Sequence, residues 1–391
     1  MKILITSDWY KPAVNGVVTS ILNLKSGLEQ LGHQVKILTL SSTTHSYEEN
    51  GVIYIGSCPA GKIYPGARIR TAGAGRWFEE IIEWKPDIVH SNCEFSTFQL
   101  ALRISRELNI PLIHTYHTIY EDYTHYISPV KKWGHDAVRF LSRAVAKRVN
   151  ALIAPTVKVQ NILESYDIET PIYVVPTGID CNKYKGKVDE EKLNELKAEL
   201  NIPDGYKVLL YVGRLAKEKN CDELINYMVR LREKKYMLLF VGDGPYREEL
   251  KQRTVSLGLE DRVIFAGMVK PDMVSMYYKL GDIFVSASVS ETQGLTYIEA
   301  ISSGLPLLCR KDECLSGVLL DGVNGWQYSD GNEFAGRLKE FNDSPELQYK
   351  FSENSKLISD KCDISAFAAK ACLVYRCEIE RSCEEYGFCD S

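Results

Sequence analysis

Two glutamates, Glu291 and Glu299, stand eight residues apart in Ser290-Glu291-Thr292-Gln293-Gly294-Leu295-Thr296-Tyr297-Ile298-Glu299-Ala300. The stretch follows an apolar run, Ile283–Ser286, and leads into a helical pattern. Gly294 lets a ligand approach the backbone closely. The amides of Gly294, Leu295 and Thr296 would open at a helix N-terminus, an arrangement that favours an anion such as a phosphate. Two carboxylates bracketing that site suit a hydroxyl-rich ligand, since ionised carboxylates accept hydrogen bonds strongly. Read alone, the same residues also fit a surface helix with a capping glutamate.

Four other loops follow apolar runs. In Val212-Gly213-Arg214-Leu215-Ala216-Lys217-Glu218-Lys219-Asn220, Arg214 and Lys219 can converge on a diphosphate. Taken alone, that loop is as well a solvated charged one. Val241-Gly242-Asp243-Gly244-Pro245 lacks the GxGxxG spacing, so a plain turn is its independent reading. Ala13-Val14-Asn15-Gly16-Val17-Val18 puts Gly16 at the mouth of a helix, where amides would meet an acceptor or a phosphate, or merely begin the helix. The fifth segment, His114-Thr115-Tyr116-His117-Thr118-Ile119-Tyr120, runs on to Glu121, Tyr123, His125 and Tyr126. A lone histidine is usually structural, but three among four tyrosines at a strand exit point to a site.

The elements that must position these loops are legible. Met1–Thr6, Val35–Leu40, Asp87–His90, Leu112–His114, Ala151–Ala154 and Ile172–Val175 lack polar alternation, as strands of a parallel sheet covered on both faces do. Helical patterns at Val17–Gln30, Phe95–Leu108 and His135–Asn150 lie between them. The pattern restarts with strands Val208–Val212, Met237–Val241, Val263–Phe265, Ile283–Ser286 and Leu305–Cys309. The helices between are Cys221–Lys234, Arg247–Leu257, Pro271–Leu280 and Thr296–Ser303. Pro176-Thr177-Gly178-Ile179-Asp180 separates the two sets as a hinge, and the chain is helical from Phe334 to near its end. This predicts an α/β chain of two Rossmann-like domains with a cleft between them. Ligands of such sheets bind at the carboxyl ends of the strands, where all five loops lie.

Composition agrees. At roughly 100–200 residues per domain, 391 residues make two or three domains. With 45% hydrophobic and 25% charged residues, disorder, collagen and disulfide-scaffold classes are excluded. A net charge of -5 gives no basic bias toward nucleic acid. No apolar run is long enough to span a bilayer, and the start reads as a strand rather than a signal peptide. The expectation is a cytoplasmic protein with reduced thiols. Cys372, Cys377, Cys383 and Cys389, spaced five, six and six apart, do not form a zinc pattern and read as free cysteines on a terminal helix.

Together these motifs resemble the retaining glycosyltransferases of family 4: the Glu-(seven residues)-Glu element, the Gly-Arg-Leu…Lys loop, Gly-Asp-Gly-Pro, the Asn-Gly-Val loop and the histidine of the fifth loop, in the family's order over essentially the whole chain. The resemblance implies the GT-B fold, two Rossmann-like domains facing across a cleft. The acceptor-side domain would span 1–178, with a C-terminal helix of about 370–391 packing back on it, and the nucleotide-sugar domain 179–369. Glu299 would take the ribose hydroxyls and Glu291 the sugar. Arg214 and Lys219 would neutralise the departing diphosphate, with the amides of Gly294 and Leu295 and with Thr296 and Gly242 in support. Met268 and Val269 would touch the base. His117 would face the donor sugar, and Asp8, Asn15, Gly16 and Tyr120 would lie on the acceptor side. Fixed cations and helix amides stabilise a departing phosphate without an obligatory metal. No Asp-x-Asp element is present, and Mg2+ would act at most as a stimulant. The resemblance implies same-face displacement, in which the leaving phosphate helps to deprotonate the acceptor.

Two features bear on the acceptor. Residues 131–148 carry Lys131, Lys132, Arg139, Arg143, Lys147 and Arg148 against Asp136 alone, interleaved with Trp133, Val138, Phe140, Leu141 and Val145. A basic amphipathic helix suits an anionic membrane surface, at about 1 kcal/mol per basic residue. It equally suits a sheet-packing helix with a basic outer face. The loop with Lys62, Arg68, Arg70 and Arg76, beside Ile63, Tyr64, Ile69 and Trp77, reads either as surface or as a second lipid contact. The segments 115–123 and 291–300 also resemble bacterial diacylglycerol glucosyltransferases, with Glu-Thr-Gln-Gly where many family members have Glu-Gly-Phe-Gly. That implies glucose transfer from UDP-glucose to the 3-hydroxyl of diacylglycerol, by an enzyme peripheral to the inner face of the cell membrane. Rival readings are another sugar nucleotide (UDP-galactose, UDP-N-acetylglucosamine or GDP-mannose) with another acceptor such as phosphatidylinositol or a capsule intermediate, a non-catalytic nucleotide-sugar-binding protein, or a disaccharide phosphorylase.

Overall fold

Short, mostly apolar strands separated by one-sided helices build two largely parallel sheets in this chain. The computed structural model describes residues 1–13, 15–61, 67–71, 75–119, 131–186, 189–231 and 235–386, with the backbone alone at 131–133 and 385–386. It divides into two compact units: Met1–Gly178 with the chain from Ile364 onward, and Ile179–Asp363.

The first unit runs β1 (Lys2–Ser7), α1 (Gly16–Gln30), β2 (Gln34–Leu40), β3 (Tyr47–Glu49), β4 (Val52–Ile55), β5 (Ser57–Pro59), β6 (Arg68–Arg70), α2 (Gly75–Trp84), β7 (Ile88–Ser91), α3 (Ser96–Leu108), β8 (Leu112–Thr115), α4 (Lys131–Ala146), β9 (Ala151–Ala154), α5 (Val157–Ser165) and β10 (Ile172–Val174). Its sheet has the order β10-β9-β8-β7-β1-β2-β4-β3. Only β3 runs antiparallel to its neighbour. Along β1, Ile3 and Ile5 enter one core and Leu4 another, so both faces are covered. The strand order turns back at β1, and the loops after β1 and β7 therefore meet at a topological switch point, with the loop after β8 next to that of β7.

The second unit runs α6 (Asn182–Lys185), α7 (Glu190–Glu199), β11 (Lys207–Val212), α8 (Cys221–Met228), β12 (Tyr236–Val241), α9 (Arg247–Ser256), β13 (Val263–Gly267), α10 (Val274–Leu280), β14 (Ile283–Ser286), α11 (Leu295–Ser302), β15 (Leu307–Arg310), β16 (Gly325–Tyr328), α12 (Gly331–Asp343) and α13 (Pro345–Ser359). The sheet order β13-β12-β11-β14-β15-β16 places the switch between β11 and β14. Leu209 and Tyr211 of β11 pack into one core, Val208, Leu210 and Val212 into the other.

The final helix, α14 (Ile364–Tyr386), belongs to the first unit. Phe367, Ala368, Ala371, Cys372, Val374 and Tyr375 join the core of Ile3, Ile5, Leu24 and Leu28. The approach to α1 is close because Gly27 has no side chain; a Cβ there would stand 2.7 Å from Ala368 Cβ.

Several expected boundaries move. β3 to β6, α2, α5 and β16 have no counterpart in the sequence pattern; all five strands are three or four residues long, too short for a period. β15 begins at Leu307 rather than Leu305, since Pro306 has no amide to give the ladder. α8 stops at Met228 in a tighter turn, not at Lys234; residues 232–234 lie outside the described chain. α10 begins at Val274, not Pro271. α4 spans Lys131–Ala146 rather than 135–150, and Arg148 donates to the Val145 carbonyl before Asn150 joins β8 through Leu112.

Candidate functional site

In the second unit the loops after β11, β12 and β13 are laced by backbone. Gly213 N donates to Val241 O at 2.9 Å, Leu215 N to Asp243 O at 3.0 Å and Gly242 N to Gly267 O at 2.8 Å. Gly242 has φ +129°, and a Cβ there would lie 2.0 Å from Gly213 O. Gly242, expected at the donor, thus makes the close approach that joins the β11 and β12 loops. Asp243 Oδ2 pairs with Arg247 Nη1 at 3.4 Å.

Across the switch point, Lys219 Nζ donates to Glu291 Oε1 at 2.7 Å. Lys219 ends a short turn, Lys217–Lys219, and Asn220 follows in the left-handed conformation. Asn220 Nδ2 donates to Ala287 O at 3.3 Å, and Ser290 Oγ to Glu218 O at 3.0 Å, so both loops are tied at several points. Arg214 pairs with Glu218, whose side chain is only 4% exposed. Each expected phosphate-binding cation therefore has a carboxylate partner. Glu218 was missed from sequence, where it is one more charge between Lys217 and Lys219.

Gly294, at φ +71°, precedes α11 and leaves no room for a Cβ, which would stand 2.5 Å from the Tyr297 ring. Leu295 and Thr296 open the helix, and Tyr297 N donates back to Gly294 O. Glu299 lies just over one turn along α11. Tyr278 Oη donates to its Oε2 at 2.7 Å, and Tyr184 also bonds it. Burial pushes the Glu299 carboxyl above its ordinary range, while the two hydroxyls and the Lys183 charge act the other way. Neither tyrosine is in a loop the sequence marks; both are chemistry-bearing residues hidden in helices. Met268 is exposed, and Val269 packs partly against the core.

In the first unit the expected acceptor-side residues have structural bonds. Asp8 accepts from Ser96 N at 3.0 Å, Thr97 N at 2.7 Å and Thr97 Oγ1 at 2.6 Å. It caps α3, whose own preceding residue, Phe95, supplies no side-chain cap. Burial raises its carboxyl pKa, with those bonds opposing. Asp8 also lines an open cavity of about 960 Å³ with Trp9, Tyr10, Lys25 and Glu29. Asn15 caps α1 through Val18 N at 2.9 Å. Gly16 is the first residue of α1, with open space where a Cβ would stand. Tyr120 lies outside the described residues.

The histidines cluster where β7 and β8 end. His117 Nε2 faces Asn92 Oδ1 at 2.8 Å, and His90 joins Tyr375 Oη at 2.7 Å and Thr115 Oγ1 at 2.6 Å. His114 lies 3.3 Å from Ser91 Oγ and 3.4 Å from Glu94 Oε1. Burial, with His114 adding to it and Glu94 opposing, lowers His117 to about 4. Burial first, then His117 and His114, lowers His90 to about 3.

The basic segment is less free than its sequence suggests. Arg139 and Arg143 both pair with Asp167, Arg143 at 2.6 Å, and Arg143 Nε donates to Tyr166 O. Val138, Ser142, Val145 and Ala146 face inward, whereas Phe140 is 76% exposed. Lys147 follows the helix rather than lying on it, and the side chains of Lys131, Lys132 and Trp133 lie outside the described set. Arg68 is committed to carbonyls of Ser41, Ser42 and Ser57, which removes it from the expected second lipid contact. Arg70 lies in β6, Arg76 stacks on Trp77, and Lys62, Ile63 and Tyr64 are outside the described residues. No described helix is long and apolar enough to cross a membrane. Among the described residues, no three His, Cys, Asp or Glu side chains group to hold a metal ion.

Comparison with known proteins converges on one family. Residues 14–183 match Glycosyltransferase Family 4, and residues 193–358 match Glycosyl transferases group 1. The alpha-monoglucosyldiacylglycerol synthase of Streptococcus pneumoniae is 38% identical over 87% of this chain and 78% of its own length. That of Acholeplasma laidlawii is 33% identical over 95% of this chain and 96% of its own. Anabaena HepE in complex with UDP-glucose superposes with a TM-score of 0.74 at 18% identity, covering 96% of this chain and 100% of that one. WaaG, a glycosyltransferase involved in lipopolysaccharide biosynthesis, gives 0.69 at 17% identity, over 95% and 99%. These two superpositions identify the fold as GT-B. With loops of this chemistry at the switch points of two parallel sheets and relatives this similar over most of its length, the chain belongs to the family 4 glycosyltransferases and is a hexosyltransferase.

Proposed function

We propose that this enzyme moves glucose from UDP-glucose to the 3-hydroxyl of diacylglycerol with retention, giving an α-monoglucosyl lipid for membrane glycolipid or lipoteichoic acid anchor synthesis. The observation that carries the reading is the Lys219–Glu291 pair across the β11/β14 switch, with Arg214 on the same loop and the α11 amides beside it. The relatives named alpha-monoglucosyldiacylglycerol synthase support the sugar and the acceptor.

In this reading Glu299, already oriented by Tyr278 and Tyr184, accepts the ribose hydroxyls, while Met268 and Val269 lie against the base. Glu291 holds the sugar. Arg214 and Lys219 exchange part of their carboxylate pairing for the diphosphate, and their charge is strongest as the sugar–phosphate bond breaks. The Gly294, Leu295 and Thr296 amides add to it. That charge makes a metal unnecessary, with Mg2+ at most a stimulant. His117 serves the donor sugar from the first unit. Asp8, Asn15, Gly16 and Tyr120 belong to the acceptor side, where the cavity beside Asp8 offers room for a ligand.

Phe140 and Lys147, with Lys131, Lys132, Trp133, Arg139 and Arg143, would meet an anionic bilayer at the inner face of the cell membrane. The exposed Phe140 ring supports this. Arg139 and Arg143 would contribute less than free cations, because Asp167 already pairs with them.

Titration of the protein with UDP-glucose tests the donor site. Glu299→Ala should weaken binding about 10- to 100-fold, the loss expected for a charge-assisted acceptor. Unchanged affinity would remove Glu299 from the ribose. In parallel, Phe140→Asp should lower co-sedimentation with anionic vesicles, and full retention would reject that contact.

A further inference from the structure

Asn92 is 4% exposed at the end of β7, and its amide N donates to Thr6 O of β1 at 2.8 Å. Its side chain has one orientation that satisfies both ends. Nδ2 donates to His90 O at 3.4 Å, which turns Oδ1, an acceptor only, toward His117 Nε2 at 2.8 Å. The proton of that bond must come from the histidine. A neutral imidazole carries a single N–H, so Nδ1 of His117 is left as a bare lone pair.

The contrast with its neighbours sharpens this. Both ring nitrogens of His90 are engaged, by Tyr375 and Thr115, within the core. His114 has Ser91 on one side and Glu94 on the other. His117 is half-buried, at the carboxyl end of the sheet where ligands of this architecture bind. The titratable groups around it are His114, Glu94 and His90.

We propose that Asn92 is a positioning residue that locks His117 in its Nε2–H tautomer, so that the ring offers the substrate an unprotonated Nδ1 as a hydrogen-bond acceptor. The inference rests on the placement of His117 at the donor sugar. A hydroxyl of the bound sugar or acceptor would donate to Nδ1. Protonation of the ring would replace that lone pair with an N–H, so the ring could no longer accept the hydroxyl's proton and the bond could form only with its direction reversed.

Transfer from UDP-glucose to diacylglycerol in anionic vesicles provides the test, with full kcat and KM profiles against pH. Asn92→Ala should lower kcat about 10- to 100-fold with KM for UDP-glucose changed less than about threefold. In the His117→Ala background the same change should have no further effect. Asn92→Asp keeps an acceptor for Nε2–H but adds a charge that favours imidazolium. Its acid limb should move up by at least about one pH unit, with activity recovered at high pH. An Asn92 that merely supported the fold would leave the limb in place and its loss would add to that of His117→Ala. Either of those results, with His117→Ala itself impaired, overturns the positioning role alone. Wild-type transfer by His117→Ala would instead overturn the placement of His117, and this inference with it. Nitrogen-15 spectra of the histidines in the unaltered protein, with His117→Gln for assignment, add a readout free of folding effects. An unprotonated Nδ1 near neutral pH is expected, and a protonated one would reject the tautomer.

Discussion

If Lys219 meets the diphosphate as proposed, removing its ammonium takes a partner from Glu291 in the ground state and from the leaving group in the transition state. The pair is only partly exposed, so water compensates incompletely. Lys219→Ala should therefore slow transfer about 10²- to 10³-fold, the scale of one lost oxyanion-stabilising group. The KM for donor should rise by less, since the larger share is gained only as charge develops. Steady-state kinetics separate the two, and an unchanged kcat would detach Lys219 from the diphosphate. At this scale the sequence was most informative where a side chain stood in a loop of its own. The placement of Arg214 and Lys219 after β11 and of Glu291 after β14 was legible for that reason. The contacts of Tyr184, Tyr278, Glu218 and Asn92 were not, because they are made by folding: Glu218 lies far from Ser290 in sequence, yet its carbonyl receives the Ser290 hydroxyl.

Elements carry these residues through backbone approach. The β11 and β12 loops touch at Gly242, whose φ of +129° and missing Cβ allow Gly213 O to sit where a methyl would clash at 2.0 Å. Gly242→Ala should destabilise the second unit by at least about 2 kcal/mol, from strain at a glycine-only conformation plus the clash. Denaturant unfolding checks this, and a loss below about 0.5 kcal/mol, ordinary for surface changes, would contradict it. The strand–helix alternation was readable because buried parallel strands are continuous apolar runs. The segment 41–84 was not, because Tyr47–Glu49, Ser57–Pro59 and Arg68–Arg70 are three-residue strands set by pairing rather than by any pattern of their own. The pairing of the basic face of α4 was not legible either. Its arginines are answered by Asp167, a residue beyond β9 that no local pattern connects to them.

At the scale of the molecule, the first unit draws its core from both ends of the chain, since α14 packs beside β1 and α1. His90 is buried between those parts, bonded to Tyr375 of α14. Its pKa in the folded protein is about 3 and that of His117 about 4, against 6.5 for each when unfolded. Below pH 6.5 the unfolded chain takes up these protons and the folded chain does not, so stability falls with pH from about 6.5 toward 4. Each histidine contributes a loss on the order of 3 kcal/mol across that window. Asp8 and Glu299, whose carboxyl pKa values are raised, take up protons earlier in the folded state and oppose the trend. His90→Gln loses two buried hydrogen bonds and should be less stable at pH 7. Because it also lacks the titration, its deficit should narrow as pH drops to about 4. Thermal unfolding at several pH values reads the gap, and a constant gap would mean that His90 is charged in the fold.

The proposed activity is read most directly from what leaves the enzyme. Purified protein would be given UDP-glucose, UDP-galactose, UDP-N-acetylglucosamine or GDP-mannose, with and without diacylglycerol in anionic vesicles, and the lipid product analysed for sugar and anomeric configuration. The expected product is an α-linked monoglucosyl lipid, formed from UDP-glucose and only when diacylglycerol is present. UDP release without a glycolipid, a β-linked product, or equal transfer of another sugar would contradict it.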